Sequence, residues 1–139
     1  MGNTRAPGDV RAGAPPPTYA DPMTDAPVLA TTLSDARLSA RAAQLSRSYL
    51  GGHARPVSVR WVHTMNRRWG SCTPLAGTIR ISHHVASMPA HVRDYVLLHE
   101  LAHLLIAGHG PGFWTLLASF PHVERARAHL DAVGRSDAT

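Results

Sequence analysis

Lysine is absent from this 139-residue chain, so all 14 of its basic residues are arginine. Such uniformity reads as a genomic preference for arginine codons and says nothing about partners. The chain also has one cysteine, Cys72, and two glutamates, Glu100 and Glu124. A single cysteine excludes an internal disulfide framework, so a reducing, cytoplasmic location is the expectation. No run of about 18 apolar residues exists to span a bilayer, and the first 30 residues lack the uninterrupted apolar segment of a signal peptide. No contact with a membrane is therefore expected. Internal repeats and glycine-rich phosphate loops are missing too. The last absence is one of charge: between Asp35 and Asp94 there is no acidic residue, while nine arginines occur. A stretch so positive suits phosphate, nucleic acid or an acidic partner, with Arg60, Arg67, Arg68 and Arg80 as the candidate contacts. The simpler alternative is a solvated basic face.

Against this background His99-Glu100-Leu101-Ala102-His103 is the most informative segment. Residues four apart on a helix lie one turn above each other, so His99 and His103 can hold one ion between them. Glu100 is rotated by about 100° from His99 and can reach a water at that ion without binding the ion itself. Six residues further on stands His109. Pro89 suits the start of a helix and Gly108 the left-handed residue that closes one, so a helix over residues 89–107 should turn sharply just before His109 and bring it back toward the ion. Three protein ligands leave a fourth position open for water, as in catalytic rather than structural zinc sites. Along this helix Val92, Val96, His99, His103 and Ile106 share an arc, whereas Leu97, Leu98, Leu101, Leu104 and Leu105 point the other way and can carry the core.

Six of the eleven prolines fall within residues 1–30, including Pro15-Pro16-Pro17. That part reads as a disordered tail, followed by one folded domain over residues 31–134 and a flexible C-terminus at 135–139. About 100 residues can bury roughly 60% of their unfolded surface, and a bound metal adds stability. Ser34 to Leu50 reads as an amphipathic helix with Leu38, Ala42, Leu45 and Tyr49 on one stripe and Gly51-Gly52 as its stop. Val57, Val59 and Trp61 alternate with polar residues in a half-buried strand, and Thr78 to Ser82 repeats the alternation with Ile79 and Ile81 inward. Residues 66–74 between them read as turns. Gly110-Pro111 begins a further helix through Phe113, Trp114, Leu117 and Phe120, and Pro121 to Val133 forms the last.

The segments Arg68-Trp69-Gly70-Ser71-Cys72, Gly77-Thr78-Ile79-Arg80-Ile81, Met88-Pro89, Asp94-Tyr95-Val96, His99 to Leu104, and His109 with Phe113-Trp114 resemble the YgjP-like metallopeptidases, compact zincins similar to SprT-like proteins. The resemblance runs from about Val57 to Trp114. It implies an α+β, minimal zincin-like fold with a small antiparallel sheet packed on helices and the HExxH helix central. It also implies zinc at His99, His103 and His109, with Glu100 as the catalytic carboxylate. Gly110 stands where a serine commonly follows the third ligand, which alters a helix cap and leaves the metal ligands untouched. The metzincin pattern is excluded: its glycine position is Ile106 here, and all four methionines precede the site, so no Met-turn can follow it.

The expected activity is zinc-dependent hydrolysis of peptides or unfolded proteins through a metal-bound water activated by Glu100. Its substrate would be extended along a sheet edge, for which Thr78 to Ser82 is the candidate strand. The alternatives are a metal-dependent phosphoester or nucleotide hydrolase and a nucleic-acid-associated zinc-binding module. Lesser candidates are His83 and His84 for polarising a carbonyl, and Glu124 as a further ligand or hydrogen-bond partner. Tyr95, one turn before His99, could point at the site but reads first as packing, and Trp69 reads as an anchor for its turn. Cys72 lacks any base placed beside it to make it a nucleophile.

Overall fold

A computed structural model describes residues 34–134 of the chain. The expected tail over residues 1–30 and the C-terminal residues 135–139 lie outside the described residues. The order of elements is α1 (Asp35–Tyr49), β1 (Ser58–Val62), β2 (Gly70–Thr73), β3 (Thr78–Ser82), a short 3-10 helix (His83–Ser87), α2 (Ala90–His103), α3 (Pro111–Leu117) and α4 (Val123–Val133). The architecture is α+β, with α2 enclosed by the three other helices and by one face of the sheet.

Helix α1 begins where Ser34 accepts a hydrogen bond from the Arg37 amide at 3.2 Å. Asp35 in its first turn and Arg47 in its last complement the helix dipole. Its stripe of Leu38, Ala42 and Leu45 is buried, and Tyr49 packs edge-on against Phe120 with ring centres 5.2 Å apart. The chain leaves the helix through hydrogen bonds from the Leu50 and Gly52 amides to the Ser46 carbonyl.

The sheet is mixed rather than antiparallel, and its order is β1-β3-β2. The difference arises in residues 66–74, where turns alone were expected and β2 is found. Gly70, Ser71, Cys72 and Thr73 offer no alternation of large apolar side chains, so their strand is legible only through its ladder with β3. One extra reversal of direction makes β1 and β3 parallel, with Val59 opposite Ile79 and Trp61 opposite Ile81. It also corrects the expected edge: β3 is central and paired on both sides, so Thr78 to Ser82 cannot accept an added strand. The edges are β1 and β2. The β1 edge is occupied by α1, because the Trp61 amide donates to Asp35 Oδ1 at 2.9 Å and Ser39 Oγ donates to the Val59 carbonyl at 3.3 Å.

Helix α2 is buried along almost its whole circumference, with Arg93 the exception among its residues. The expected division into a leucine face and a histidine face therefore gives way to burial on both, and Leu105, beyond the helix end, is exposed. So many enclosed polar groups need partners. Asp94, fully buried, receives a two-pronged hydrogen bond from Arg41 of α1, whose Nε lies 2.9 Å from Oδ1 and whose Nη2 contacts Oδ2; Arg41 also donates to Gln44. This pair ties α1 to the site helix with a planar geometry that a lysine would not reproduce.

Candidate metal centre

Helix α2 presents His99, Glu100 and His103 in its last turn and a half, all nearly inaccessible to solvent. It stops at His103, four residues before the expected end, because the backbone tightens there: the Leu104 amide bonds to the Leu101 carbonyl and the Leu105 amide to the Ala102 carbonyl, each three residues back. The Gly108 backbone then adopts φ +74°, a left-handed turn that favours glycine. The expected reversal before His109 is present. It places His109 Nε2 3.0 Å from His99 Nε2 and 3.1 Å from His103 Nε2. Among the described residues these three histidines form the one group of converging metal-ligating side chains, their ligand atoms all within 4.8 Å of one another.

The donor set fits a metal ion. His103 Nδ1 lies 3.2 Å from the Ile106 carbonyl, which can only accept, so Nδ1 carries the proton and Nε2 keeps its lone pair toward the centre. The other ring nitrogen of His99 meets the Tyr95 hydroxyl at 3.2 Å, one helical turn earlier. Nitrogens this close either share a proton or hold a cation between them. Zinc bonds of about 2.0–2.1 Å hold tetrahedral nitrogens about 3.3 Å apart, a value between the 3.0 Å contact and the 4.8 Å outer limit seen here. Phe113 forms an apolar floor, stacked on His103 at 4.5 Å and edge-on to His99 and His109.

Glu100 does not join the three ligands. Its side chain lies against Gly70 of β2, where a Cβ would come within 3.0 Å of Glu100 Cγ and 3.1 Å of Oε2. Glycine lets strand and carboxylate approach this closely; a Cβ would make the Glu100 side chain shift by a few tenths of an ångström. The same proximity acts on Cys72, two residues along β2. Burial first, then the Glu100 carboxylate, push its thiol up to about 11, against an opposing pull from Arg80.

The remaining candidates are not among the converging ligand atoms. Glu124 is exposed on α4 and does not converge with the three histidines. His83 and His84 belong to the 3-10 helix, where the His83 ring packs with those of His63 and His84 at 4.7 and 4.0 Å, and His84 Nε2 lies 3.3 Å from Asn66 Oδ1. Trp69 is buried as expected. Tyr95 does more than pack, since its hydroxyl meets His99 Nδ1, in line with its spacing of four residues before His99. Gly70 and Trp114 were visible within the motif segments but carried no role of their own.

The model of the YgjP-like metallopeptidase domain matches residues 28–133. The chain belongs to this family. No curated protein and no solved structure matches the chain. The family match reaches well beyond the segments from Val57 to Trp114, so α1 and α4 are parts of the YgjP-like domain rather than additions to it. Among the described residues, no helix of this domain is long and apolar enough to cross a membrane.

The raised Cys72 pKa yields a direct test. At pH 8 a shift from 9.0 to about 11 leaves roughly a hundredfold less thiolate. Alkylation by iodoacetamide at pH 8 is expected to be about that much slower in the folded chain than in urea. Because the folded pKa is the higher one, folding stability should be unaffected below pH 9 and decline as pH rises from 9 toward 11. Equal alkylation rates in the two states would contradict the assigned environment.

Proposed function

We propose that this YgjP-like domain is a zinc-dependent peptidase, with His99, His103 and His109 holding the ion and Glu100 handling the proton. The observation that carries the reading is a buried carboxylate beside three converging imidazoles, with a glycine-lined sheet edge next to it. Held by His99, His103 and His109, zinc would supply the Lewis acidity that makes water a nucleophile near neutral pH and polarises a carbonyl. The protein supplies the rest. A carboxylate oxygen of Glu100 takes a proton from the attacking water as its oxygen bonds to the scissile carbonyl carbon. Glu100 then returns that proton to the amide nitrogen as the carbon–nitrogen bond breaks. Phe113 and the surrounding apolar side chains keep this exchange in a medium of low dielectric constant.

A peptide would be bound as an added strand on β2. Of the two edges, β1 is engaged by Asp35 and Ser39 of α1, whereas β2 runs beside Glu100. Backbone hydrogen bonding to such an edge is indifferent to side chains, which suits unfolded segments over defined sequences.

The test is Glu100→Gln, which keeps the shape of the side chain but cannot take up a proton at neutral pH. The variant is expected to keep its zinc and its fold and to lose hydrolysis of an unfolded protein by about 10²- to 10⁴-fold. Peptides left intact by the parent while nucleoside triphosphates are cleaved, with loss of that cleavage in the variant, would favour a phosphoester hydrolase. Undiminished peptide hydrolysis in the variant would contradict the mechanism.

One observation supports a second, compatible reading in which the outer sheet face meets an anion. Arg60 and Arg80 are directly opposite in the parallel register of β1 and β3, an arrangement of like charges that costs stability. Arg80 donates from Nε to Ser71 Oγ at 3.1 Å, and Arg67 and Arg68 are exposed nearby in the chain. An anionic partner such as nucleic acid would relieve that repulsion. Single-stranded DNA binding should then weaken steeply with salt, and Arg60→Ala with Arg80→Ala should lower the slope of log K against log salt by about 1 to 2. No detectable binding at low salt removes this reading and leaves the peptidase proposal intact.

A further inference from the structure

The third ligand is held unlike the other two. His99 and His103 are fixed by a buried helix, but His109 is exposed, in a segment without regular structure, between Gly108 and Gly110. A Cβ at either glycine would meet no atom within 4 Å, so packing around these neighbours does not restrain the loop. Gly108 lies in the left-handed region. Some other contact must select the conformation that carries the His109 imidazole to the centre, because an unrestrained segment of this kind samples many conformations.

The structure supplies that contact in Trp114. Its indole Nε1 donates to the His109 carbonyl at 2.9 Å. Its ring lies beside the His109 imidazole, with centres 6.1 Å apart and planes inclined by 29°. Trp114 is itself fixed from two directions. Its own amide and that of Phe113 bond to the Gly110 carbonyl, closing the first turn of α3, and the Arg127 guanidinium of α4 sits over its ring, 4.5 Å from the centroid. Arg127 is one residue beyond Ala126, which with Leu130 forms the buried face that seats α4.

We infer that Trp114, clamped by Arg127, is a positioning residue for the third metal ligand, so that α4 tunes metal affinity through Trp114 and His109 without touching the ion. The inference rests on the metal reading of the three histidines. It requires the indole N–H in particular, since a ring alone could stack but could not hold the His109 carbonyl. Partners that orient metal-ligating histidines influence metal affinity by about 10- to 100-fold, and a cation over an accessible indole contributes a smaller share, roughly 2- to 5-fold.

The experiment is a zinc titration of the full-length chain against a competing chelator, alongside the visible spectrum of the cobalt(II)-loaded protein. Trp114→Phe keeps an aromatic ring for Arg127 and removes the donor together with part of the ring surface. It is expected to weaken zinc binding by about 10- to 100-fold and to shift the cobalt spectrum toward that of His109→Ala, with the melting temperature of the metal-free protein unchanged. A merely structural role would lower that melting temperature and leave the cobalt spectrum as in the parent, which would overturn the inference. Arg127→Gln, on a half-exposed residue, provides a second variant that should fold in any case, with zinc binding weakened roughly 2- to 5-fold. Zinc affinity equal to the parent's in both variants would overturn the clamp while leaving the three-histidine centre standing. A parent chain that binds no zinc would overturn both.

Discussion

Three imidazole nitrogens aimed at one point are the constraint on which the rest of this structure depends. The arrangement could hold a cation, and it depends on whatever keeps each ring in place. His99 is backed by the Tyr95 hydroxyl and His103 by the Ile106 carbonyl. His109 depends on a left-handed glycine before it and on Trp114 after it. The ligands thus come from a rigid helix and a loop, and the loop is only as well placed as its supports.

Burying the helix that carries two of these ligands creates the second demand. Helix α2 takes Asp94, His99, Glu100 and His103 out of water, and each would be costly without a partner. The Arg41–Asp94 pair answers for the first and fixes α1 across the helix. Breaking such a buried pair costs about 3–5 kcal/mol, a large fraction of the roughly 5–15 kcal/mol that stabilises a typical domain. The family match begins ahead of α1 for an understandable reason: α1 provides Arg41 and also closes the β1 edge with Asp35 and Ser39. What remains is a sheet with one edge beside Glu100.

The convergence of His99, His103 and His109 was legible because the first two are a helical period apart and the turn before the third needs a glycine. Helix α1 was legible through Ser34, its apolar stripe and the glycine pair at its end, and Gly110-Pro111 announced α3 for similar local reasons. The strand β2 was not. Its four small residues have no period of their own, and they become a strand only by pairing with β3. The antiparallel sheet was what the family resemblance implied, and the edge at Thr78 to Ser82 was inferred from its place ahead of the site helix; the pairing of β3 with β1 on one side and β2 on the other corrects both. Arg41 and Asp94 are 53 residues apart and Trp114 meets Arg127 across two helices, contacts that no local pattern encodes. Local periodicity therefore located the histidine cluster, while tertiary pairing decided what surrounds it.

The account stands or falls on the metal. Zinc bound per chain, measured by elemental analysis after dialysis of the parent and of His99→Ala, His103→Ala and His109→Ala, tests it most directly. One ion per parent chain, lost in large part from each variant, is the predicted result. Equal retention of zinc in all three variants would contradict the centre described above.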